Sequence, residues 1–161
     1  MSKFLEHTHI INSHPIALCA AAQDFLTGGV ESDVINMENA KSCVFIIKCT
    51  EGTGTASITI VCVDAITAAT TTTALSFNYK QCCATGTPDL QGATTETKDL
   101  VVSATDKIFV LEVDAAKLAE VGYPYIRMLS TEKSAFAIHG TAMAFLMGMR
   151  SAEDVTPTQL V

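Results

Sequence analysis

Apolar and polar residues alternate with period two through most of the chain's hydrophobic segments. Leu75, Phe77 and Tyr79 alternate with Ser76, Asn78 and Lys80, the pattern of a strand with one buried face. Ile58, Ile60 and Cys62 alternate with Thr59, Val61 and Val63, so this strand is expected to be partly covered on both faces. Cys43 to Cys49 precedes it. Between the two, Glu51-Gly52-Thr53-Gly54 supplies glycine for the positive backbone angles of a tight turn, which predicts a hairpin. Ala65 to Thr73, rich in Ala and Thr, reads as a loop, and Gly86-Thr87-Pro88-Asp89 with Gly92 punctuates a second long connection that ends at a strand beginning Leu100-Val101-Val102.

The pattern sharpens again from Lys107. Ile108 to Val113 is a β-branched and aromatic run, and Asp114 after it is placed to cap a short helix, Ala115 to Val121, closed by Gly122. Tyr123 to Leu129 reads as a strand in whose apolar row Arg127 is out of place, so that residue is expected near a strand end, at an edge, or paired with an acid. Ala135 to Met149 is long enough for a four-turn helix. It is read in preference as a strand, with Phe136, Ile138 and Leu146 on one face, His139, Met143, Phe145 and Met147 on the other, and Gly140 and Gly148 at bulge or end positions. Pro15 to Leu26 is mixed and is read as strand-like or irregular before the Gly28-Gly29 stop.

These elements predict an all-β domain: a single β-sandwich, jelly-roll-like, with one short helix near 115–121 and extended termini. Residues 1–14 form an N-terminal arm, 15–150 the sandwich and 151–161 a C-terminal tail. The 21 threonines support this, since a side chain stiff at χ1 suits a pleated surface. A chain of 161 residues is long enough to bury its own core without staples.

Charge changes the picture of the surface. Only 17% of residues are charged and 48% are hydrophobic, against about 25% charged in ordinary globular chains. So few charges leave apolar patches uninterrupted, and part of the surface is expected to be covered by a partner. A net charge of -7 with only 10 scattered basic residues argues against nucleic acid or an anionic membrane as that partner. No apolar window is long enough for a membrane helix, and Met1 to His7 lacks the apolar stretch of a signal peptide, so the chain is expected to be made in the cytoplasm, a reducing compartment. The six cysteines, Cys19, Cys43, Cys49, Cys62, Cys82 and Cys83, are then read as free thiols rather than a disulfide framework.

Candidate chemistry is sparse. His7 and His9, with His14 beyond, have strand spacing that could present two imidazoles on one face, but no carboxylate or thiol completes a metal site, and the reading is no metal. Cys82 and Cys83 would point to opposite faces of a strand, and no sequence feature brings His139 to either thiol. Glu31 with Asp33 and Glu153 with Asp154 read as solvated charge. No nucleophile elbow, phosphate loop or dinucleotide fingerprint occurs, so neither a cofactor nor an enzymatic activity is expected.

The stretch from Lys98 to Arg150 carries a resemblance. A strand ending Leu111-Glu112-Val113-Asp114-Ala115, a short helix with Leu118, then Gly122-Tyr123-Pro124-Tyr125-Ile126-Arg127-Met128 and a last apolar strand ending Met149-Arg150 resembles small virion proteins of tailed bacteriophages. In these a compact β-sandwich serves as a head decoration, or cement, protein. The resemblance implies a homo-oligomer, a trimer by preference, on the outer capsid surface. It would hold subunits of the major capsid protein together by noncovalent contact. Phe4, Leu5, Ile10 and Ile11 in the arm and Leu160 and Val161 in the tail are the candidate contact residues. A phage tail-tube or head-completion protein is the neighbouring alternative, and a small ligand- or carbohydrate-binding sandwich the alternative of another class.

Overall fold

The computed structural model describes residues 8–11, 31–66, 70–82, 91–103, 107–134 and 138–148. In chain order they form β1 (Thr8–Ile11), β2 (Ile35–Asn36), β3 (Ser42–Gly52), β4 (Thr55–Val63), β5 (Thr71–Leu75), β6 (Phe77–Cys82), β7 (Gln91–Thr97), β8 (Leu100–Ser103), β9 (Lys107–Asp114), α1 (Ala116–Ala119), β10 (Tyr125–Glu132) and β11 (Ile138–Met147). The strands make two antiparallel sheets. Sheet A has the order β1-β11-β3-β9-β6-β7, and sheet B the order β2-β10-β4-β5, with β8 also on β4.

The order has a simple logic. First pairs with last (β1 with β11), second with next to last (β2 with β10), and third with the one before (β3 with β9), while β4 at the centre pairs with β5 and β8. This nested pairing, wrapped so that β11 lies beside β3 and β10 beside β4, is the order of a jelly roll. The all-β sandwich read from the sequence is therefore the fold. β5 and β8 share one side of β4 end to end, at Ile60–Val63 and Thr55–Ile58, because β6 and β7 interrupt them. That excursion extends sheet A by two strands.

The core lies between the sheets. Cys43, Phe45, Ile47 and Cys49 of β3 face Ala56, Ile58, Ile60 and Cys62 of β4, with Phe109, Leu111, Ile126, Met128, Ala144 and Leu146 completing one continuous cluster. The hairpin expected at Glu51 to Gly54 does not form: β3 is bordered by β11 and β9, and β4 by β10, β5 and β8. Alternation alone cannot separate the two arrangements. A hairpin puts both apolar faces on the same side, whereas here the turn carries the chain from one sheet to the other and the same two faces meet across the core.

Sheet switching explains the next difference as well. Leu75 and Phe77 are both buried, but they belong to different sheets, with Ser76 at the crossing. The loop expected over Ala65 to Thr73 becomes strand from Thr71, and the connection expected before Leu100 contains β7, paired with β6. In both places threonines supply the strand without the large apolar residues that would reveal it. Residues 15–26 and 86–89 lie outside the described residues.

Other expectations hold. Ala135 to Met149 contains the strand Ile138–Met147, with a register shift between His139 and Gly140 and a positive φ of 64° at Gly148 just beyond its end. The helix is shorter than expected. The Asp114 carboxylate accepts the Ala116 N–H at 2.9 Å, and Gly122, at φ 87°, donates its N–H to the Leu118 carbonyl.

Candidate interaction surfaces

Arg127 finds its acid. It lies on the outward face of β10, and its Nη1 is 2.6 Å from Oε2 of Glu31. The chain at 31–37 runs antiparallel along β10: Glu31 stands opposite Leu129, Ser32 N–H donates to the Met128 carbonyl, and Ile35 stands opposite Ile126. Four residues on this segment match three on β10, which places a bulge between Glu31 and Ile35. Val34 thereby joins Val61 and Val63 in a second apolar cluster, flanked by Ile66, Ala74, Tyr125 and Leu129. Val61 and Val63 are thus buried on the outward face of β4, as its two-sided alternation suggested, while Val101 on the neighbouring β8 is 57% exposed.

The outward face of sheet A is different. Three cross-strand rows run over it from β11 through β3 to β9: Phe145, Val44 and Glu112; Met143, Ile46 and Val110; Thr141, Lys48 and Ile108. Six of these nine are apolar. Met143 is 37% and Ile108 36% exposed, and Val44, Ile46, Val110 and Phe145 between and beside them are half-buried, so the face meets solvent in part. The sequence held the signal. Cys43 to Ile47 is apolar at both parities, and such a strand needs cover on both sides. A contiguous apolar face of this kind on a sparsely charged chain marks an interaction surface.

Among the described residues sheet A ends at β7. β7 has β6 as its only described neighbour, and its sequence Gln-Gly-Ala-Thr-Thr-Glu-Thr is polar but nearly uncharged. Glu96 on this strand is tied to Lys117 of α1 at 3.0 Å, and its carboxyl is held below the usual range by hydrogen bonds from Ser76 and Lys117 and by the lysine charge. At the opposite edge, β1 is short and pairs with β11. Ile10 stands opposite Phe145 and Ile11 opposite Ala144, so this part of the presumed arm completes the domain's own sheet. Phe4, Leu5, Leu160 and Val161 lie outside the described residues.

One cleft of about 420 Å³ opens where α1 meets the β2–β3 connection. It is lined by Met37, Glu38, Leu118, Gly122, Tyr123 and Pro124 among others, and Tyr123 is 41% exposed at it. An aromatic face with one carboxylate beside it could take a small ligand through stacking and a hydrogen bond.

Cys43, Cys49 and Cys62 are buried thiols that form no disulfide, and the Cys62 thiol donates to the Tyr123 carbonyl at 3.6 Å. Burial raises the Cys43 thiol and pushes that of Cys49 up to about 12 against the nearby charge of Lys107, so neither is a nucleophile at neutral pH. An unfolded thiol ionises near its ordinary value of 9.0, while native Cys49 keeps its proton to about 12. Between those limits the native state holds more protons than the unfolded one, so stability falls as pH rises, by at most about 1.4 kcal/mol per pH unit for each thiol. Urea unfolding at pH 8 to 10.5 is expected to show a shallower decline in Cys49→Ala than in the wild type. Equal slopes would contradict the burial of this thiol.

Among the described residues no group of three or more His, Cys, Asp or Glu is placed to hold a metal ion. No described helix is long and apolar enough to cross a membrane. His7, His14, Cys19, Cys83, Glu153 and Asp154 lie outside the described residues, and His9 is placed only by register, opposite Leu146.

Fold and surfaces together define the class as an all-β jelly-roll domain with a partly exposed apolar outward face on sheet A. Comparison with family models, curated proteins and solved structures gives no match to this chain.

Proposed function

We propose that the chain is a structural virion protein of the tailed-phage type, a homo-oligomer that binds noncovalently to the major capsid protein lattice on the outer capsid surface and stabilises the head as a decoration protein. The observation that carries this reading is the edge of sheet A at β7, which has no second neighbour among the described residues and where a strand or arm of a capsid subunit could add through backbone hydrogen bonds. The jelly roll supports it as a fold used in capsids, as well as in lectins and cupins. Low charge and the resemblance over Lys98 to Arg150 support it further. Cementing needs no chemical step, because repetition over a symmetric lattice multiplies modest contacts.

Successive N–H groups of a strand point to opposite neighbours, so of Thr95 and Glu96 one faces β6 and the other faces outward. Thr95→Pro and Glu96→Pro therefore divide the roles. The variant that keeps wild-type stability is expected to lose binding to phage heads lacking the protein. Undiminished binding by that variant would remove the edge from the account.

A second reading, a small ligand- or carbohydrate-binding sandwich, is favoured by the cleft at Tyr123 and Glu38. It predicts that Tyr123→Ala abolishes ligand binding and leaves head binding unchanged.

A further inference from the structure

We infer that the outward face of sheet A is the contact surface between two copies of this chain, packed face to face about a two-fold axis that crosses the strands. Size and charge both point to a second copy. The four strands β11, β3, β9 and β6, spaced about 4.8 Å apart with about seven residues each rising about 3.4 Å, give about 450 Å² of face. β1 and β7 extend the same sheet on either side, toward the roughly 800 Å² that each partner contributes to a stable interface.

The charges select the axis. Glu112 and Lys48 are both exposed and stand in the two outer rows, on either side of the Met143, Ile46 and Val110 row. An axis along that central row lays it on its own copy and brings the Lys48 row of one subunit onto the Glu112 row of the other. Each Glu112 then faces Lys48 of the partner subunit across one strand spacing, about 4.8 Å sideways and within reach of both side chains. The pair occurs twice, flanking an apolar centre, as a self-complementary interface requires. An axis parallel to the strands would keep each row on itself, bring Lys48 against its own copy and pair no glutamate with a lysine. Lys80, opposite Val110 on β6, continues the central row and meets its own copy there, so Lys80→Gln is expected to tighten the dimer.

Size-exclusion chromatography with light scattering on the purified full chain tests this without any capsid present, so its outcome is separate from that of head binding. The wild type is expected to be a dimer. Lys48→Glu and Glu112→Lys, both at exposed positions, should each weaken it by about tenfold or more in dissociation constant through two like-charge contacts. The double variant restores opposite charges and should return to near wild-type affinity, with circular dichroism unchanged throughout. Ile46→Asp at the centre should give a monomer. A wild-type monomer, a trimer, or a dimer indifferent to these substitutions would overturn the inference, as would a double variant no tighter than the singles.

Discussion

Phe45→Ala is expected to destabilise the domain by about 3–5 kcal/mol, the range for removing a fully buried aromatic ring and leaving a cavity. Phe45 is fully buried on β3, the strand held between β11 and β9 at the middle of sheet A, and its ring is part of the layer between the sheets. Neighbouring positions have nowhere to collapse, because Ala142 and Ala144 are already small and β4 closes the other side. Val44→Ala, one residue away on the outward face, should cost less, about 1–1.5 kcal/mol, since a half-buried side chain loses only part of its transfer energy and leaves no enclosed cavity. Urea midpoints of the two variants measure which face of β3 is inside. Equal effects, or the reverse order, would show the strand facing the other way.

Gly140→Ala is expected to cost about 1–3 kcal/mol although it adds a single methyl group, the range for forcing extra volume into packed structure. At the β11 irregularity a Cβ on residue 140 would press into the backbone carbonyl oxygen of Lys48 and stand 3.3 Å from the Cys49 Cα. Backbone cannot rotate aside as a long side chain can. The variant must therefore open the β11–β3 ladder at the bulge, and amide exchange should quicken there first, at 138–141 and 48–49. Wild-type stability in this variant would mean that β11 does not approach β3 as closely as described.

What the sequence revealed follows from what alternation encodes. It reports which side of a strand is apolar, so β3, β4, β9, β10 and β11 were legible as strands, and Gly122 and Gly148 were legible as the ends of α1 and β11. Alternation does not report which strand lies beside which. Cys43–Cys49 and Ile58–Val63 fit a hairpin and a sheet-to-sheet turn equally well, and the choice is made by β9 and β11, about fifty or more residues further along the chain, which claim both sides of β3. β5 and β7 were invisible for another reason. Thr71 to Thr73 and Thr94 to Thr97 are competent strand formers, yet they present too little apolar contrast to stand out from loops.

The interaction surfaces were half legible. Low charge and the two-sided apolar run at Cys43 to Ile47 pointed to a covered surface, and Arg127 to an acid. That Glu31 is the acid, and that it arrives on a bulged segment beside β10 at the edge of sheet B, depends on long-range pairing. The candidate contacts in the chain ends divide: Ile10 and Ile11 belong to an edge strand, and the rest lie outside the described residues.

The central claim, that this jelly roll acts by binding a capsid lattice, is tested most directly by co-sedimenting the purified chain with phage heads that lack it, over a range of added protein. The account predicts saturation at a fixed ratio to the major capsid protein, together with heads that resist heat better than undecorated ones. Absence of saturable binding would contradict it, and assembly of the free chain into rings or tubes would assign the protein to the tail instead.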